Sequence, residues 1–467
     1  MNLYDLLAGG FPADRSKPAF LLSDGGEVSY AELESGAAQA AGHLTAKGVR
    51  PGDRVGLQAD KSVEAVMFYL GVLKAGAVFL PLNAAYTAAE VDHFAADAEP
   101  ALLVTDPKTF LAEARSAAPL EQAVARQDGD LASLIYTSGT TGRSKGAMLS
   151  HGNLAANAVA LHQAWGFTPD DVLLHALPIF HVHGLFVALH CAFLSGAPMV
   201  WLPRFEDAQV IAGLAQSTVM MGVPTFYTRL LANPEFTAER AAHMRLFISG
   251  SAPLLESTFT EFEGRTGMRI LERYGMSEAV IITSNPLDGA RIPGSVGFPL
   301  PGVELRIGGG SATGVIEIRG PSVFSGYWRM PEKTAEEFTA DGFFKTGDVG
   351  HRDPDGRVWI SGRAKDLIIS GGYNVYPKEI ELVLDELGGV AESAVVGIPH
   401  PDFGEGVVAV VIGAGDEAAM IAECRRQLAP YKSPKRIVFV DELPRNAMGK
   451  VQKNLLRDRY GDLFKTG

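Results

Sequence analysis

The sequence has few cysteines and no uninterrupted apolar run, and each absence removes a class of protein. Its 467 residues include only two cysteines, Cys191 and Cys424, which are too few for a disulfide framework or an all-cysteine zinc site. We therefore expect two buried thiols in a cytoplasmic protein. The most apolar stretch, residues 65–82, is interrupted by a lysine, a glycine and a proline. It predicts a helix followed by a strand, and no membrane span.

Positive charge is also scarce. The chain has 41 lysines and arginines against 54 aspartates and glutamates, which gives a net charge of −13. This balance argues against a nucleic-acid backbone as the partner, and an anionic substrate would need local positive groups. Residues 1–5 lack the basic and apolar regions of a secretory signal.

The length of the chain exceeds what one hydrophobic core supports and predicts two or three domains. Strands alternate with helices from Ser29, where a capping box with Glu32 begins a helix, which predicts an α/β fold with parallel sheets. From Pro293 onward, short strands and turns predict a β-rich part. We predict a large N-terminal domain, residues 1–364, and a small, mobile α/β C-terminal domain, residues 365–467.

A loop rich in glycine and hydroxyl groups, residues 137–146, follows an apolar strand predicted at residues 131–135. It contains three glycines, five serine or threonine hydroxyls and Lys145. Glycine lets the backbone approach a ligand closely, and exposed N–H groups, hydroxyls and an ammonium suit a polyphosphate. The spacing differs from that of the GxxxxGK[ST] loop, so a plain P-loop ATPase is disfavoured.

Three further motifs follow in order. Residues 271–278 combine an aromatic ring, a glycine and a carboxylate, residues 344–348 end in an aspartate, and residues 444–450 place a lysine beside a glycine. Together with the loop, they resemble the adenylate-forming superfamily of acyl-CoA synthetases, luciferases and adenylation domains over nearly the whole chain. Within this superfamily the chain is most similar to malonyl-CoA synthetases, as judged from residues 180–185, 222–229, 247–254 and 372–379.

The resemblance implies a two-step ligation that uses ATP, Mg²⁺ and coenzyme A. A carboxylate attacks the α-phosphate of ATP and gives an acyl-adenylate and pyrophosphate, and the thiolate of coenzyme A then displaces AMP. Because the first step brings two anions together, charge neutralisation and in-line positioning should dominate catalysis. The implied acid is malonate, with methylmalonate as a further substrate.

The resemblance also implies which residues do this chemistry. Lys450, Glu278 and Thr137 would be catalytic: Lys450 would reach the acid and the α-phosphate, and Glu278 would hold Mg²⁺, which favours oxygen ligands. Taken singly, Lys450 is better explained as a solvated lysine of the tail, and only the joint occurrence of the motifs in family order favours the catalytic role. The implied ATP and AMP ligands are Thr137, Ser138, Gly139, Thr140, Thr141, Lys145, Ser251, Ala252, Pro253, Arg273, Tyr274, Gly275, Met276, Ser277, Asp348 and Arg363.

Two further roles concern the second half-reaction. Lys365 resembles the hinge about which the small domain rotates, which would replace Lys450 at the active site with Gly371, Gly372 and Tyr373. These three residues would border the tunnel for coenzyme A. Without the resemblance, the two glycines indicate an ordinary turn.

The acid pocket requires a partner for the second carboxylate of malonate. Arg229 and Arg291 are the candidates, because a guanidinium pairs bidentately with a carboxylate; an isolated arginine is more often a surface residue. His181 would form a wall of the pocket. The chain has Ile281 and Ile282 where malonyl-CoA synthetases tend to have Met-Asn, which favours a methyl-substituted malonate or a monocarboxylate.

Two other interpretations stay open at this point. One is a short-chain or medium-chain monocarboxylate–CoA ligase, and the other is an adenylation module that loads a carrier protein. The second would call for a phosphopantetheine acceptor, and the sequence carries no attached carrier domain. We expect small-molecule substrates, no nucleic-acid partner, and a monomer or weak homo-oligomer.

Overall fold

The structure is a computed structural model that describes residues 1–137, 145–310, 312–445 and 450–464. It divides into two compact units, of which unit 1 is residues 1–305 with 318–344 and unit 2 is residues 306–317 with 345–467. The predicted mixed α/β fold with a large and a small part is confirmed. The predicted boundary between residues 364 and 365 marks the start of the domain that we expect to rotate, and it stays a prediction.

The elements of unit 1 follow in chain order. Its helices are α1 (Leu3–Gly9), α2 (Tyr30–Ala46), α3 (Val63–Lys74), α4 (Ala88–Ala98), α5 (Pro107–Ala114), α6 (His151–Ala164), α7 (Leu189–Ser195), α8 (Asp207–Leu214), α9 (Pro224–Ala232), α10 (Glu256–Thr266) and α11 (Pro331–Glu337). Its strands are β1 (Pro18–Leu22), β2 (Glu27–Ser29), β3 (Arg54–Gln58), β4 (Val78–Leu82), β5 (Leu102–Val104), β6 (Leu131–Thr137), β7 (Lys145–Ser150), β8 (Leu173–His175), β9 (Met199–Trp201), β10 (Val219–Gly222), β11 (Leu246–Ser249), β12 (Leu271–Met276), β13 (Val280–Ser284) and β14 (Ser295–Pro299).

Local sequence signals account for several of these elements. Ser29 caps α2 and forms the predicted capping box with Glu32, which satisfies two backbone donors at the helix end. Thr87 and Glu90 form the same motif at α4. The helix predicted at residues 182–194 begins as a π-helix over His183–Ala188 and continues as α7. Wide turns of this kind are often found near functional sites.

Two sheets organise unit 1. The first has the strand order β5-β3-β4-β6-β7, in which β3, β4, β5 and β6 are parallel and β7 pairs antiparallel with β6. In the second, the order within unit 1 is β14-β13-β12-β11-β10-β8-β9-β1-β2. Its central strands β8 to β12 are parallel, and β13 pairs antiparallel with β12. The loops after parallel strands therefore meet at one sheet edge, where ligands of open α/β sheets bind.

Unit 2 contains the remaining elements. Its first three strands each have one end in unit 1. The strands are β15 (Glu304–Ile307), β16 (Thr313–Arg319), β17 (Phe344–Arg352), β18 (Val358–Arg363), β19 (Ile368–Ser370), β20 (Tyr373–Val375), β21 (Val390–His400), β22 (Gly404–Gly413) and β23 (Arg436–Val440), and the helices are α12 (Pro377–Asp385), α13 (Glu417–Gln427) and α14 (Lys453–Tyr460). Strands β19 to β23 form one sheet in the order β20-β19-β22-β21, with β23 beside β22.

Each unit has its own apolar core. In unit 1, one cluster packs Tyr227 of α9 and Phe247 of β11 against Phe259 and Phe262 of α10. In unit 2, Val395 of β21 and Val407 of β22 pack against α12 and α13. Burying each such side chain contributes roughly 1.5–3 kcal/mol to the free energy of unfolding. Each unit can therefore keep the residues of a binding site in fixed positions.

Two further sequence expectations concern the cysteines and the membrane. Cys191 and Cys424 are buried free thiols, as predicted. Every helix within the described ranges is too short or too polar to cross a lipid bilayer.

Candidate active site

The loop predicted to bind phosphate is described at its two ends. Thr137 is the last residue of β6 and lies opposite Lys145, the first residue of β7, and its hydroxyl donates to the carbonyl oxygen of Lys145. The intervening predicted ligands Ser138, Gly139, Thr140 and Thr141 lie outside the described residues. The Lys145 ammonium is buried, 3.6 Å from Glu337 and 4.8 Å from the centre of the Tyr327 ring. The hairpin therefore holds an ammonium group at the base of the loop.

The carboxylate predicted to hold magnesium is buried in a turn of the same unit. Glu278 lies in the turn between β12 and β13 and is 7% exposed. The Tyr327 hydroxyl donates to its Oε1 atom over 2.9 Å, and the Phe324 N–H donates to its carbonyl oxygen over 2.8 Å. Because Tyr327 also faces Lys145, one ring orients a carboxylate and an ammonium together.

The site fits Mg²⁺ better than a metal held by protein ligands alone. No group of three or more histidine, cysteine, aspartate or glutamate side chains within the described ranges forms a metal cage. Mg²⁺ is usually bound by one or two carboxylates together with substrate phosphates. A single buried carboxylate, which Tyr327 connects to Lys145 at the base of the loop predicted to bind phosphate, meets that requirement.

The residues predicted to bind adenosine lie on adjacent parallel strands of unit 1. In β11 and β12, Ser249 is opposite Glu272, so the segment 250–253, which leaves the end of β11, starts beside residues 273–276 in the second half of β12. Ser251 has a φ of +70°, Ala252 and Pro253 are exposed, and Tyr274 is half-buried. Left-handed backbone at a non-glycine residue is uncommon and is enriched at functional sites.

A buried arginine stands out among these residues. The Arg273 side chain points into the interior, is 5% exposed, and its Nε and Nη2 atoms have no hydrogen-bond partner among the described residues. Burial lowers its pKa to about 9. A charged group left unpaired in the interior is costly. Arg273 therefore indicates a site for an anion.

Three further residues belong to this candidate anion site. A Cβ atom on Gly250 would lie 2.4 Å from the Arg273 Cζ atom, so only glycine leaves room for the guanidinium. The His183 Nε2 atom and the Ser249 hydroxyl are buried without a described partner, while His183 Nδ1 lies 3.4 Å from the Ser251 hydroxyl. Burial first, and then the charge of Arg273, hold the pKa of His183 well below its usual range. A neutral imidazole is thus available as a donor or acceptor.

The structure gives the two arginines predicted for the acid different surroundings. Arg291 donates from its guanidinium to the carbonyl oxygens of Pro286, Arg269 and Leu287, which fastens a surface loop. Arg229 is exposed on α9, with its guanidinium 6.0 Å from the centre of the Phe205 ring. His181 accepts from the His183 N–H through Nδ1. The roles of these three residues stay predictions, and the unpartnered guanidinium makes Arg273 a further candidate for the acid.

Unit 2 contains the other predicted ligands. Asp348 of β17 is buried, lies opposite Arg363 of β18, and its Oδ1 atom is 2.8 Å from Arg363 Nε. Such a pair fixes the orientation of both groups. Lys365 follows in a single 3₁₀ turn, Ala364–Asp366, and Lys450 is exposed.

The residues predicted to border coenzyme A form the tip of a hairpin. Gly371 and Gly372 connect β19 to β20 and have φ angles of +59° and +81°. Two-residue turns with positive φ at both positions require residues such as glycine, so the turn alone explains the pair. Tyr373 is 58% exposed and stacks on Tyr431 with ring centres 4.6 Å apart.

The sequence alone did not group Ser249, Gly250 and His183 with Arg273, which it assigns to the nucleotide, and that assignment stays a prediction. Arg273 lies within a motif that is typical of nucleotide binding. Nothing in local sequence distinguishes an unpaired buried guanidinium from a paired one, because that distinction depends on neighbours distant in the chain.

Replacing Gly250 with alanine is expected to weaken acid binding by displacing Arg273. Because the new methyl group would overlap the guanidinium, we expect KM for the acid to rise by roughly tenfold or more, in line with about 1–3 kcal/mol for overpacking. KM for ATP should change little. Steady-state kinetics tests this, with Gly264→Ala as control, because nothing lies within 4 Å of a Cβ atom there. Equal effects of the two variants would contradict the expectation.

A second buried acid gives a pH-dependent stability. Glu272 is 6% exposed, and burial raises its pKa to about 8, opposed by the Gly294 N–H that donates to Oε1. Its unfolded pKa is near 4.5, so the folded state binds the additional proton between these values. Stability should therefore fall as pH rises from about 5 to 8, by up to about 1.4 kcal/mol per pH unit.

Glu272→Gln should remove this component of the pH dependence. Thermal unfolding of both proteins between pH 5 and 9 is the measurement, and the difference in Tm should favour the variant increasingly as pH rises. A constant difference across this range would show that Glu272 does not titrate in the folded protein.

Comparisons with known proteins identify the family of the chain. A model of the AMP-binding enzyme family matches residues 11–328, and a model of the AMP-binding enzyme C-terminal domain matches residues 379–450. The chain belongs to the AMP-binding enzyme family, and the predicted superfamily is confirmed.

Individual relatives show which members of the family the chain is similar to. The crystal structure of ATP-bound MatB from Rhodopseudomonas palustris is 50% identical, covers 99% of each chain and has a TM-score of 0.94. A malonyl-CoA ligase in a ternary product complex with methylmalonyl-CoA and AMP is 37% identical over 94% of this chain and 99% of its own, with a TM-score of 0.70. The malonate–CoA ligase of Arabidopsis thaliana is 36% identical over 93% of this chain and 85% of its own length.

Proposed function

We propose that the protein is an AMP-forming acid–thiol ligase that converts malonate, ATP and coenzyme A to malonyl-CoA, AMP and pyrophosphate through an acyl-adenylate. Membership of the AMP-binding enzyme family and the similarity to malonate–CoA ligases support this reaction. The observation that carries the choice of acid is the buried guanidinium of Arg273, whose Nε and Nη2 atoms have no partner among the described residues.

The charge of the acid follows from this observation. Malonate has one carboxylate to react and a second that must be neutralised. A carboxylate beside Arg273 would pair the buried charge and restore its pKa, and it would meet the open polar atoms of His183 and Ser249. A monocarboxylate would leave the guanidinium unpaired, which typically costs about 3–5 kcal/mol for a buried pair broken on one side.

Adenylation would use groups from both parts of the chain. Lys145 and Lys450 would neutralise the charge that develops when a carboxylate attacks the α-phosphate. Glu278, oriented by Tyr327, would hold Mg²⁺, and the metal would supply charge stabilisation on the phosphates. Tyr274 and Ser251 would border the adenine, and the Asp348 carboxylate, held by Arg363, would accept hydrogen bonds from the ribose.

Thioester formation would follow a rotation about Lys365. The hairpin tip at Gly371 and Gly372 would then replace Lys450, and its exposed Tyr373 would border coenzyme A. A cytoplasmic location, a monomer or weak homo-oligomer and the absence of a nucleic-acid partner are parts of the same proposal.

An acid screen tests the proposal. Purified protein is assayed for pyrophosphate release with MgATP, coenzyme A and malonate, methylmalonate, succinate, acetate, propionate or a medium-chain fatty acid. We expect kcat/KM for malonate to exceed that for acetate and propionate by about a hundredfold or more, because a site built for a polar group rejects analogues that lack it. Methylmalonate should be accepted beside Ile281. A preference for any monocarboxylate would refute the choice of acid.

The carrier-protein alternative is tested in the same assay. Holo-carrier protein replaces coenzyme A at equal concentration, and acyl transfer is followed by mass spectrometry. Faster transfer to the carrier than to coenzyme A would replace the proposed second step with a loading function.

A further inference from the structure

The turn that carries Glu278 ends in an unusual backbone conformation. Val280, the first residue of β13, has a φ of +58° and is 1% exposed. The Ala279 N–H donates to the Met276 carbonyl oxygen, which closes a tight turn over Ser277 and Glu278. The chain therefore enters the left-handed region two residues after the carboxylate.

Valine is poorly suited to this conformation. In the left-handed region the Cβ atom of an L-residue approaches the following carbonyl oxygen too closely, and a branched Cβ makes valine a clear outlier there. Glycine is the ordinary solution and asparagine the next. Residues in sparsely populated backbone regions persist where the surroundings determine the conformation, and such places cluster at functional sites.

The residues around Val280 hold its backbone in the left-handed region. On the facing strand, a Cβ atom on Gly275 would lie 2.0 Å from the Val280 carbonyl oxygen and 2.9 Å from the Ile281 Cα atom, so the two strands approach as closely as glycine permits. From the other side, the buried amide of Asn157 on α6 donates to the Ile281 carbonyl oxygen over 2.7 Å. The pairing register also shifts between Tyr274 and Gly275.

These constraints act on the segment that positions Glu278. The carbonyl oxygen of Glu278 accepts from Phe324 and its side chain accepts from Tyr327, so the turn is fixed at the carboxylate as well as behind it. A turn that relaxed at residue 280 would change the direction in which residues 277–279 leave β12.

We propose that Val280 is a positioning residue: its left-handed backbone, held by Gly275 and Asn157, sets the turn that directs the Glu278 carboxylate to the metal–ATP complex. The inference rests on the proposed role of Glu278 in holding Mg²⁺, and it does not depend on which acid the enzyme takes.

Three variants separate the backbone from the side chain. Val280→Ala removes the branched side chain but keeps a Cβ atom, Val280→Gly removes the steric restriction as well, and Val280→Asn supplies a residue that tolerates the left-handed region. The measurements are Tm, calorimetric affinity for ATP with Mn²⁺ or Mg²⁺, and the metal concentration for half-maximal pyrophosphate release with the best acid of the screen.

The expected pattern has two parts. A glycine at this position adopts positive φ without strain, so Val280→Gly should melt at least about 2 °C above Val280→Ala, the reverse of the usual order of these residues. Its freedom should also weaken metal–ATP affinity and raise the metal requirement by about fivefold. The alanine and asparagine variants should stay within about twofold of the parent in both metal measurements.

Two results would overturn the proposal. A lower Tm for Val280→Gly than for Val280→Ala would mean that residue 280 is not strained, and an unchanged metal–ATP affinity in the glycine variant would mean that its conformation does not position Glu278. Because the affinity for metal–ATP is measured without an acid, this test of Val280 gives an answer even if the protein does not accept malonate.

Discussion

Replacing Arg273 with methionine is expected to lower kcat/KM for malonate by about a hundredfold to a thousandfold, which corresponds to about 3–4 kcal/mol for a buried charge pair that loses one partner. Methionine fills similar space without a charge, so the fold should be kept. The monocarboxylates acetate and propionate gain nothing from the guanidinium, and their kcat/KM should fall less than about tenfold or rise. Initial rates of pyrophosphate release with each acid provide the comparison.

The control for this experiment is Arg269→Met. Arg269 lies four residues earlier and makes an exposed ion pair with Glu263, and exposed pairs contribute about 0–1 kcal/mol. We expect near-parental kinetics from this variant. If Arg273→Met lowered the rates for malonate and for monocarboxylates equally, Arg273 would belong to the nucleotide site, as the sequence motif alone suggested.

Replacing Lys450 with alanine is expected to separate the two half-reactions. Loss of a cation that neutralises transition-state charge typically costs about a hundredfold to a thousandfold, so malonate-dependent pyrophosphate release should fall by that amount. Thioester formation from a supplied acyl-adenylate should stay within a fewfold of the parent, because Lys450 is proposed to leave the site before that step. Rapid-quench measurements of each half-reaction provide the test.

A second variant controls for the loss of charge from unit 2. Arg425 is exposed on α13 and has no proposed role, and Arg425→Ala should leave both half-reactions unchanged. Equal losses of adenylation and thioester formation in Lys450→Ala would contradict the proposed exchange of residues.

Short-range features of the fold could be predicted from the sequence. The Ser29 capping box depends on two residues three positions apart, and strand alternation depends on local polarity, so both are visible without a structure. The family resemblance was also accessible, because its motifs are contiguous and occur in order along the chain. These parts of the interpretation are confirmed.

The role of a particular arginine could not be predicted in this way. Arg291 and Arg273 are both arginines near proposed binding motifs, but the guanidinium of Arg291 donates to three backbone carbonyl oxygens whereas Arg273 is buried against Gly250. Which donors remain available is decided by segments far apart in sequence. The left-handed Val280 is a similar case, since its residue type argues against its conformation.

The buried guanidinium of Arg273 also has a consequence outside catalysis. An enzyme that contains an unpaired interior charge is less stable empty than filled, and a ligand that binds only the folded state stabilises it in proportion to the logarithm of its concentration. The lifetime of the folded protein in the cell would then rise with the supply of its own acid. Abundance of the enzyme would follow abundance of the substrate, without a regulatory domain or a change in gene expression.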